Sequence, residues 1–177
     1  MVSHIVYFYI LDFKDIITID AKRKKYKNMP ITYIFKNFEG LTHKELIDML
    51  RIRSEIFVVE QNCPYLDIDG YDEIAMHLLA KDKGVIIGCL RILPAGRYPD
   101  VSIGRVVVKP EYRRQGIAKI MLDMAVEEAL RRFSCSRIML GSQVYAEELY
   151  ESAGFKKIGE EYLEDGIPHV HMVYTKE

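Results

Sequence analysis

Hydrophobic positions along this chain switch between a period of two and a period near 3.6, and the switches mark out its elements. Ile31 to Phe35 reads as a first strand. Thr42-His43-Lys44-Glu45 is a capping-box pattern, with Thr42 as N-cap and Glu45 reaching back. The helix it opens runs on through Leu46, Leu50 and Phe57. Cys63-Pro64 to Asp72 is a loop, with Pro, Gly and the aspartates Asp67, Asp69 and Asp72. Ala75 to Ala80 and Val85 to Leu93 read as strands joined by Lys81-Asp82-Lys83-Gly84, a hairpin signal.

Val101 to Val108 is a further strand, followed by the loop Lys109-Pro110-Glu111-Tyr112 and a helical pattern reaching about Phe133. In that helix Ile117, Ile120, Met121 and Met124 face a core. Lys119, Asp123, Glu127 and Arg131 line the other side, most simply a solvated face with i,i+4 pairs. Ile138 to Leu140 is a short buried strand. Tyr145, Ala146, Leu149, Tyr150 and Ala153 sit at helical spacing, with Gly154 as a natural stop. Tyr162, and then Val170 to Tyr174, read as one or two final strands. The order is mixed α/β, a central sheet with helices on its faces.

Length and composition narrow this to one globular domain. The chain has 177 residues, 49% hydrophobic and 29% charged, enough for a real core and ordinary for a folded protein. A net charge of −1 gives no electrostatic argument for nucleic acid or an anionic membrane as partner. Cys63, Cys89 and Cys135 are far apart and show neither zinc-ligand nor redox spacing, so they read as reduced thiols of a cytoplasmic protein. Residues 1–29 read as an N-terminal extension outside the core domain of residues 30–177. The extension holds an apolar run, Ile5 to Leu11, too short to span a bilayer, followed by the basic cluster Lys22 to Lys27. A signal peptide carries its charge before the apolar run, the reverse of this order.

Candidate chemistry concentrates at Arg113-Arg114-Gln115-Gly116-Ile117-Ala118. Strand, basic glycine loop and helix follow one another there, which aims backbone N–H groups at an anion with the helix dipole behind them. Gly116 lacks a Cβ, Ala118 keeps the helix start close to the strand, and Arg113 and Arg114 add cationic donors. The loop alone is a weak motif that an ordinary strand-to-helix turn with solvated arginines also explains, and the strand and helix signals flanking it on the correct sides raise its weight.

The longer stretch Gly104 to Ala118, with Leu149-Tyr150-Glu151-Ser152-Ala153-Gly154-Phe155, resembles the GNAT superfamily of acyl-CoA-dependent N-acetyltransferases. The resemblance covers roughly Ile31 to Tyr174. Phe57 to Tyr65 and Glu164-Asp165-Gly166-Ile167-Pro168-His169 look like its ElaA-type branch. It departs at the last motif position, often glycine and here Ala118, a common variant.

The resemblance implies a central, mostly antiparallel sheet flanked by helices. It implies direct transfer of acetyl from acetyl-CoA to a primary amine of a small molecule or peptide, in a ternary complex and without a metal. On this resemblance Val106, Val107, Val108, Arg113, Arg114, Gln115, Gly116, Ile117, Ala118 and Gln143 bind the cofactor, and backbone N–H groups at Val106 to Val108 stabilise the thioester oxygen. Tyr150 matches the acid that protonates the leaving thiolate. From helical spacing alone it is equally a core tyrosine. The amine needs a base, because an alkyl amine with a pKa of roughly 10.4 is mostly protonated at neutral pH. Glu60 ranks first among Glu60, Asp69, Asp72, His77, Glu164 and His169. His169, at the start of an apolar strand, is more simply structural. Dimers are common in the superfamily, which leaves a homodimer as an expectation.

A second series points elsewhere. Arg53 and Phe57, the aspartates Asp67, Asp69 and Asp72, and Gly88 to Pro94 resemble the first half of acyl-homoserine lactone synthases. Those synthases usually carry a tryptophan in this region, of which this chain has none, and they lack the basic glycine loop. The plainer reading is a structural ion cluster, with an inward Arg53 tied to the aspartates. A non-catalytic acyl-CoA sensor is a third class. The acidic run Glu160, Glu161, Glu164 and Asp165 hints at a cationic acceptor but reads equally as a solvated face.

Overall fold

A computed structural model describes residues 17–18 and 31–176. The expected extension, residues 1–29, lies outside the described residues except for Ile17–Thr18. Among the described residues eight strands form one sheet in the order β1-β2-β3-β4-β5-β6-β8-β7. They are β1 (Ile17–Thr18), β2 (Ile31–Asn37), β3 (Met76–Asp82), β4 (Val85–Leu93), β5 (Val101–Val108), β6 (Arg137–Gln143), β7 (Lys156–Glu164) and β8 (Ile167–Thr175). Every neighbouring pair is antiparallel except β5 and β6. Between those two the chain crosses back through helix α2 (Ile117–Phe133), the connection that parallel strands require.

Burial on both faces explains why β3 and β4 read as nearly continuous apolar runs, interrupted in their buried parts by His77 and Arg91. Leu78, Leu90 and Ile92 point to one face, where α2 packs Ile117, Met121, Leu122 and Ala125 against them. Leu79, Ile86 and Cys89 point to the other, under Met49 and Ile52 of helix α1 (His43–Arg53). The capping box of α1 is formed: the Glu45 amide donates to Thr42 Oγ1 at 3.2 Å and the Thr42 amide to Glu45 Oε2 at 2.8 Å. Beyond Arg53 the helix widens into a π-helical segment, Ser54–Glu60, a change that hydrophobic spacing does not encode.

Both hairpin turns use left-handed residues in pairs. Lys83 and Gly84 have φ of 47° and 84°, and Asp165 and Gly166 have φ of 51° and 80°. Two consecutive positive φ values match the right-handed twist of the flanking strands. The tail is therefore two strands, β7 and β8. Helix α3 (Glu147–Ser152) is shorter than its spacing suggested, because Val144–Ala146 forms a separate 3-10 turn before it.

Two irregularities in β5 prepare the site. Cys89 pairs with Val107 and Arg91 with Gly104, so Leu90 alone faces Arg105 and Val106, which is a bulge. Arg105 has a φ of 54°, unusual for a non-glycine residue in a strand. On its other edge β5 pairs with β6 only at Val101–Ile138 and Ser102–Met139. Past those pairs the two strands part and leave a wedge.

Candidate functional site

The wedge opens into a cavity of about 560 Å³. One wall is β5 from Ser102 to Val108 with the loop and first turn of α2. The other is Leu140, Gly141 and Gln143 of β6 with Leu149 and Tyr150 of α3.

The glycine loop forms one end. Tyr112 and Arg113 close their own turn, with amides donating to the carbonyls of Lys109 and Pro110. The amides of Arg114, Gln115 and Gly116 have no acceptor among the described residues, and the first turn of α2 adds its own free N–H groups. Arg114 and Gly116 hold left-handed φ values of 59° and 77°, which turns successive amides to one side. A Cβ at Gly116 meets no protein atom within 4 Å, so the demand for glycine is conformational. This end fits the phosphates of an acyl-CoA: unpaired N–H groups, a helix N-terminus and arginines.

Of the residues expected to hold the cofactor, Val106, Val107, Val108, Arg113, Arg114, Gly116, Ile117, Ala118 and Gln143 all line the cavity. The Gln115 side chain does not, donating instead to the Glu111 carbonyl at 3.1 Å. Gln143 exchanges amide hydrogen bonds with Gln61 at 3.0 and 3.2 Å, bridging the wedge.

Tyr150 lines the cavity and makes a T-shaped contact with Phe155 at 6.3 Å. Its hydroxyl has no hydrogen-bond partner among the described residues. Burial pushes its phenol above the ordinary range, which keeps the proton in place.

The candidate bases separate sharply. Glu60 does not line the cavity. Arg113 grips its carboxylate through both terminal nitrogens, at 2.7 and 2.8 Å, and that hydrogen bonding holds its pKa below the usual value. The geometry gives Glu60 an arginine to hold where a base needs an open lone pair. Asp69 and Asp72 are consumed by arginines. Although burial alone would raise them, Arg91 and Arg97 hold Asp69 below its ordinary pKa, and Arg53 with Arg91 does the same for Asp72. His77 is fully buried on the Asp72 carbonyl at 2.8 Å, and burial lowers its pKa. Glu164 and His169 alone of the six line the cavity. His169 Nδ1 lies 2.8 Å from the Ile167 carbonyl, which can only accept. In the neutral ring Nδ1 therefore carries the hydrogen and Nε2 keeps its lone pair.

Arg53 points inward and is 1% exposed, donating to Asp67 at 2.9 Å and to Asp72 at 2.7 Å. This is the structural ion cluster that its place on the helix face implied. The sequence reading gave no role to Arg97, Tyr98 and Arg105, which also line the cavity. An arginine inside the apolar run Val101–Val108 was the available signal for Arg105. Arg97 sits in a turn between β4 and β5 with no such signal. Among the described residues no cluster could hold a metal ion, no helix is long and apolar enough to cross a membrane, and Cys63, Cys89 and Cys135 are free thiols.

Residues 55–176 match the family model described as an acetyltransferase (GNAT) domain. A UPF0039 protein of Schizosaccharomyces pombe is 41% identical over 144 residues, covering 80% of this chain and 95% of that protein. Protein ElaA of Escherichia coli is 35% identical over 135 residues, 75% of this chain and 88% of ElaA. Among solved structures, an acyl-CoA N-acyltransferase from Pseudomonas aeruginosa superposes with a TM-score of 0.77 at 36% identity, over 82% of this chain and 99% of that one. The ElaA crystal structure gives 0.76 at 32% identity, over 81% and 99%.

Proposed function

The chain belongs to the GNAT acetyltransferase family, and from that premise we propose that it transfers acetyl from acetyl-CoA to the primary amine of a small molecule or peptide. The observation that carries this is the wedge itself. Free amides at the α2 N-terminus and the Tyr150 hydroxyl line one cavity, as a donor with phosphates at one end and a thioester at the other requires.

Acetyl-CoA, when bound, supplies an activated acetyl group. The amides from Arg114 to Ala118 bind its phosphates. Past the Ser102–Met139 pair β5 has no ladder partner on its β6 edge, which leaves strand amides there that can stabilise charge developing on the thioester oxygen. His169 Nε2 takes a proton from the amine, directly or through a water, with Nδ1 anchored on the Ile167 carbonyl. The Tyr150 hydroxyl gives its proton to the departing sulfur. Glu60 positions Arg113.

The test is a panel of amines incubated with acetyl-CoA while free thiol is followed, with Gly116→Trp as a control. Thiol release that depends on the amine and vanishes in Gly116→Trp supports the proposal. Saturable acetyl-CoA binding without release across the panel would favour a sensor. Normal binding in Gly116→Trp would remove the loop as the phosphate site.

A further inference from the structure

Four guanidiniums (Arg53, Arg91, Arg97 and Arg105) and three carboxylates (Asp67, Asp69 and Asp72) form one connected network beside the cavity. It carries one positive charge in excess, since burial holds His77 towards its neutral form and keeps the proton on Tyr65, whose hydroxyl donates to Asp67 at 2.9 Å. The inner half is closed. Arg53 is buried on Asp67 and Asp72, and Arg91 on Asp69 and Asp72. The outer half is open: the Arg97 and Arg105 side chains are 29% and 19% exposed against 3% for Arg91, which lines the cavity beside them.

The imbalance centres on one atom. Asp69 Oδ2 receives Arg91 at 2.6 Å, Arg97 at 2.6 Å and Arg105 at 3.2 Å. Arg105 also reaches Asp67, with Nε 2.7 Å from Oδ1 and Nη2 donating to the carbonyl at 3.2 Å, so among the described residues its Nη1 and the Nε and Nη2 of Arg97 are the unmatched donors. Aromatic rings fix where the two outer guanidiniums sit. Arg97 lies over Tyr71 at 4.6 Å and Tyr98 at 5.6 Å, and Arg105 over Tyr65 at 5.4 Å. A pinned, partly desolvated guanidinium pair with spare donors is a site for a carboxylate. The same cavity also holds the opposite functionality, the Glu164 carboxylate and the His169 lone pair, which suit an amine.

We infer that the acetyl acceptor is a free amino acid or a similar small amine that carries its own carboxylate, seated against Arg97 and Arg105 with its amine towards His169 and Glu164. The inference rests on the acetyl-transfer reading and narrows it. A lysine side chain within a peptide, and a plain polyamine, lack the anion that the guanidinium pair selects.

The experiment compares each free amino acid with the amine left when its carboxylate is removed. Thiol release from acetyl-CoA and calorimetric binding in the presence of coenzyme A are both read. Charged hydrogen bonds of this kind set the scale: kcat/KM for the amino acid should exceed that of its partner amine by about tenfold or more. Arg97→Gln should raise KM for the amino acid by about tenfold while KM for acetyl-CoA holds, and Arg97→Lys should recover part of the loss. Equal activity with the decarboxylated amines would overturn the carboxylate site and leave acetyl transfer standing. Absence of thiol release, with amino acids still binding and Arg97→Gln abolishing that binding, would keep the carboxylate site and remove acetyl transfer. Absence of both release and binding would overturn the inference, as would an Arg97→Gln protein that keeps the wild-type preference.

Discussion

Arg113 and Glu60 form a two-point ion pair at 2.7 and 2.8 Å, tying the glycine loop to the end of the π-helical segment. The pair holds a cation at the glycine-loop end of the cavity and occupies the carboxylate that the sequence favoured as base. Glu60→Gln should therefore keep kcat within about threefold of wild type, with any change falling on KM for acetyl-CoA, because one partly exposed pair contributes little. Steady-state kinetics decide it: a kcat loss of about 100-fold would restore Glu60 as base.

Tyr150→Phe removes one hydroxyl and keeps the T-shaped contact with Phe155. Loss of the proton donor should lower kcat by about 100-fold. The thermal midpoint and acetyl-CoA binding should stay near wild type, since the hydroxyl bonds to nothing within the described residues. An unchanged kcat would remove Tyr150 as the acid.

Removing His169 should show a dependence on pH. At neutral pH His169→Ala should lose about 100-fold in kcat. The deficit should shrink as pH rises towards the amine's own pKa of roughly 10, where solvent has already taken the proton. A deficit constant from pH 7 to 10 would mean that the imidazole positions the acceptor and takes no proton.

Asp72 joins Arg53 to Arg91 inside the fold. Asp72→Ala leaves both guanidiniums short of a partner in a buried place and should cost about 3–5 kcal/mol in urea unfolding. A loss below about 1 kcal/mol would mean that the cluster relaxes around the gap.

Glu45 gives the pH dependence of the α1 attachment. Burial would raise its pKa, but Lys36, Lys81 and Thr42 together hold it down at about 2, against an ordinary 4.5. A depressed carboxyl stabilises the fold above its unfolded pKa. That contribution is complete above pH 4.5 and is lost as pH falls through about 2. Urea midpoints measured between those limits should fall with acid in the wild type and fall less in Glu45→Gln.

Sequence periodicity located the elements that bury a face. β5 runs from Val101 to Val108 and α2 ends at Phe133, as the apolar pattern marked, while the helix start at Ile117 carried no mark of its own within the glycine loop. β7 was barely visible because it is exposed along nearly its whole length, so no alternation records it. Arg53 announced its partners, since an arginine on an apolar helix face must find carboxylates. Which carboxylates remain free to act as a base was not legible. Asp69, Asp72 and Glu60 resemble Glu164 as letters and differ only in which arginines reach them. The backbone reversal at Arg105 was equally silent, because a left-handed arginine leaves no mark on hydrophobic spacing.

Asp69 has a consequence for how this cavity can diversify. Its Oδ2 anchors Arg91 in the interior and Arg97 and Arg105 at the cavity wall, so one atom serves both the fold's integrity and the wall's charge. A lineage that drifts at Asp69 to reach a new acceptor risks its interior in the same step. Arg97, on the turn between β4 and β5 and bonded to the network through Asp69 alone, is free to vary. New acceptor preferences should therefore arise by exchange at Arg97 and Tyr98 while Asp69 stays fixed, and a library built to redirect this enzyme should be randomised at those two positions.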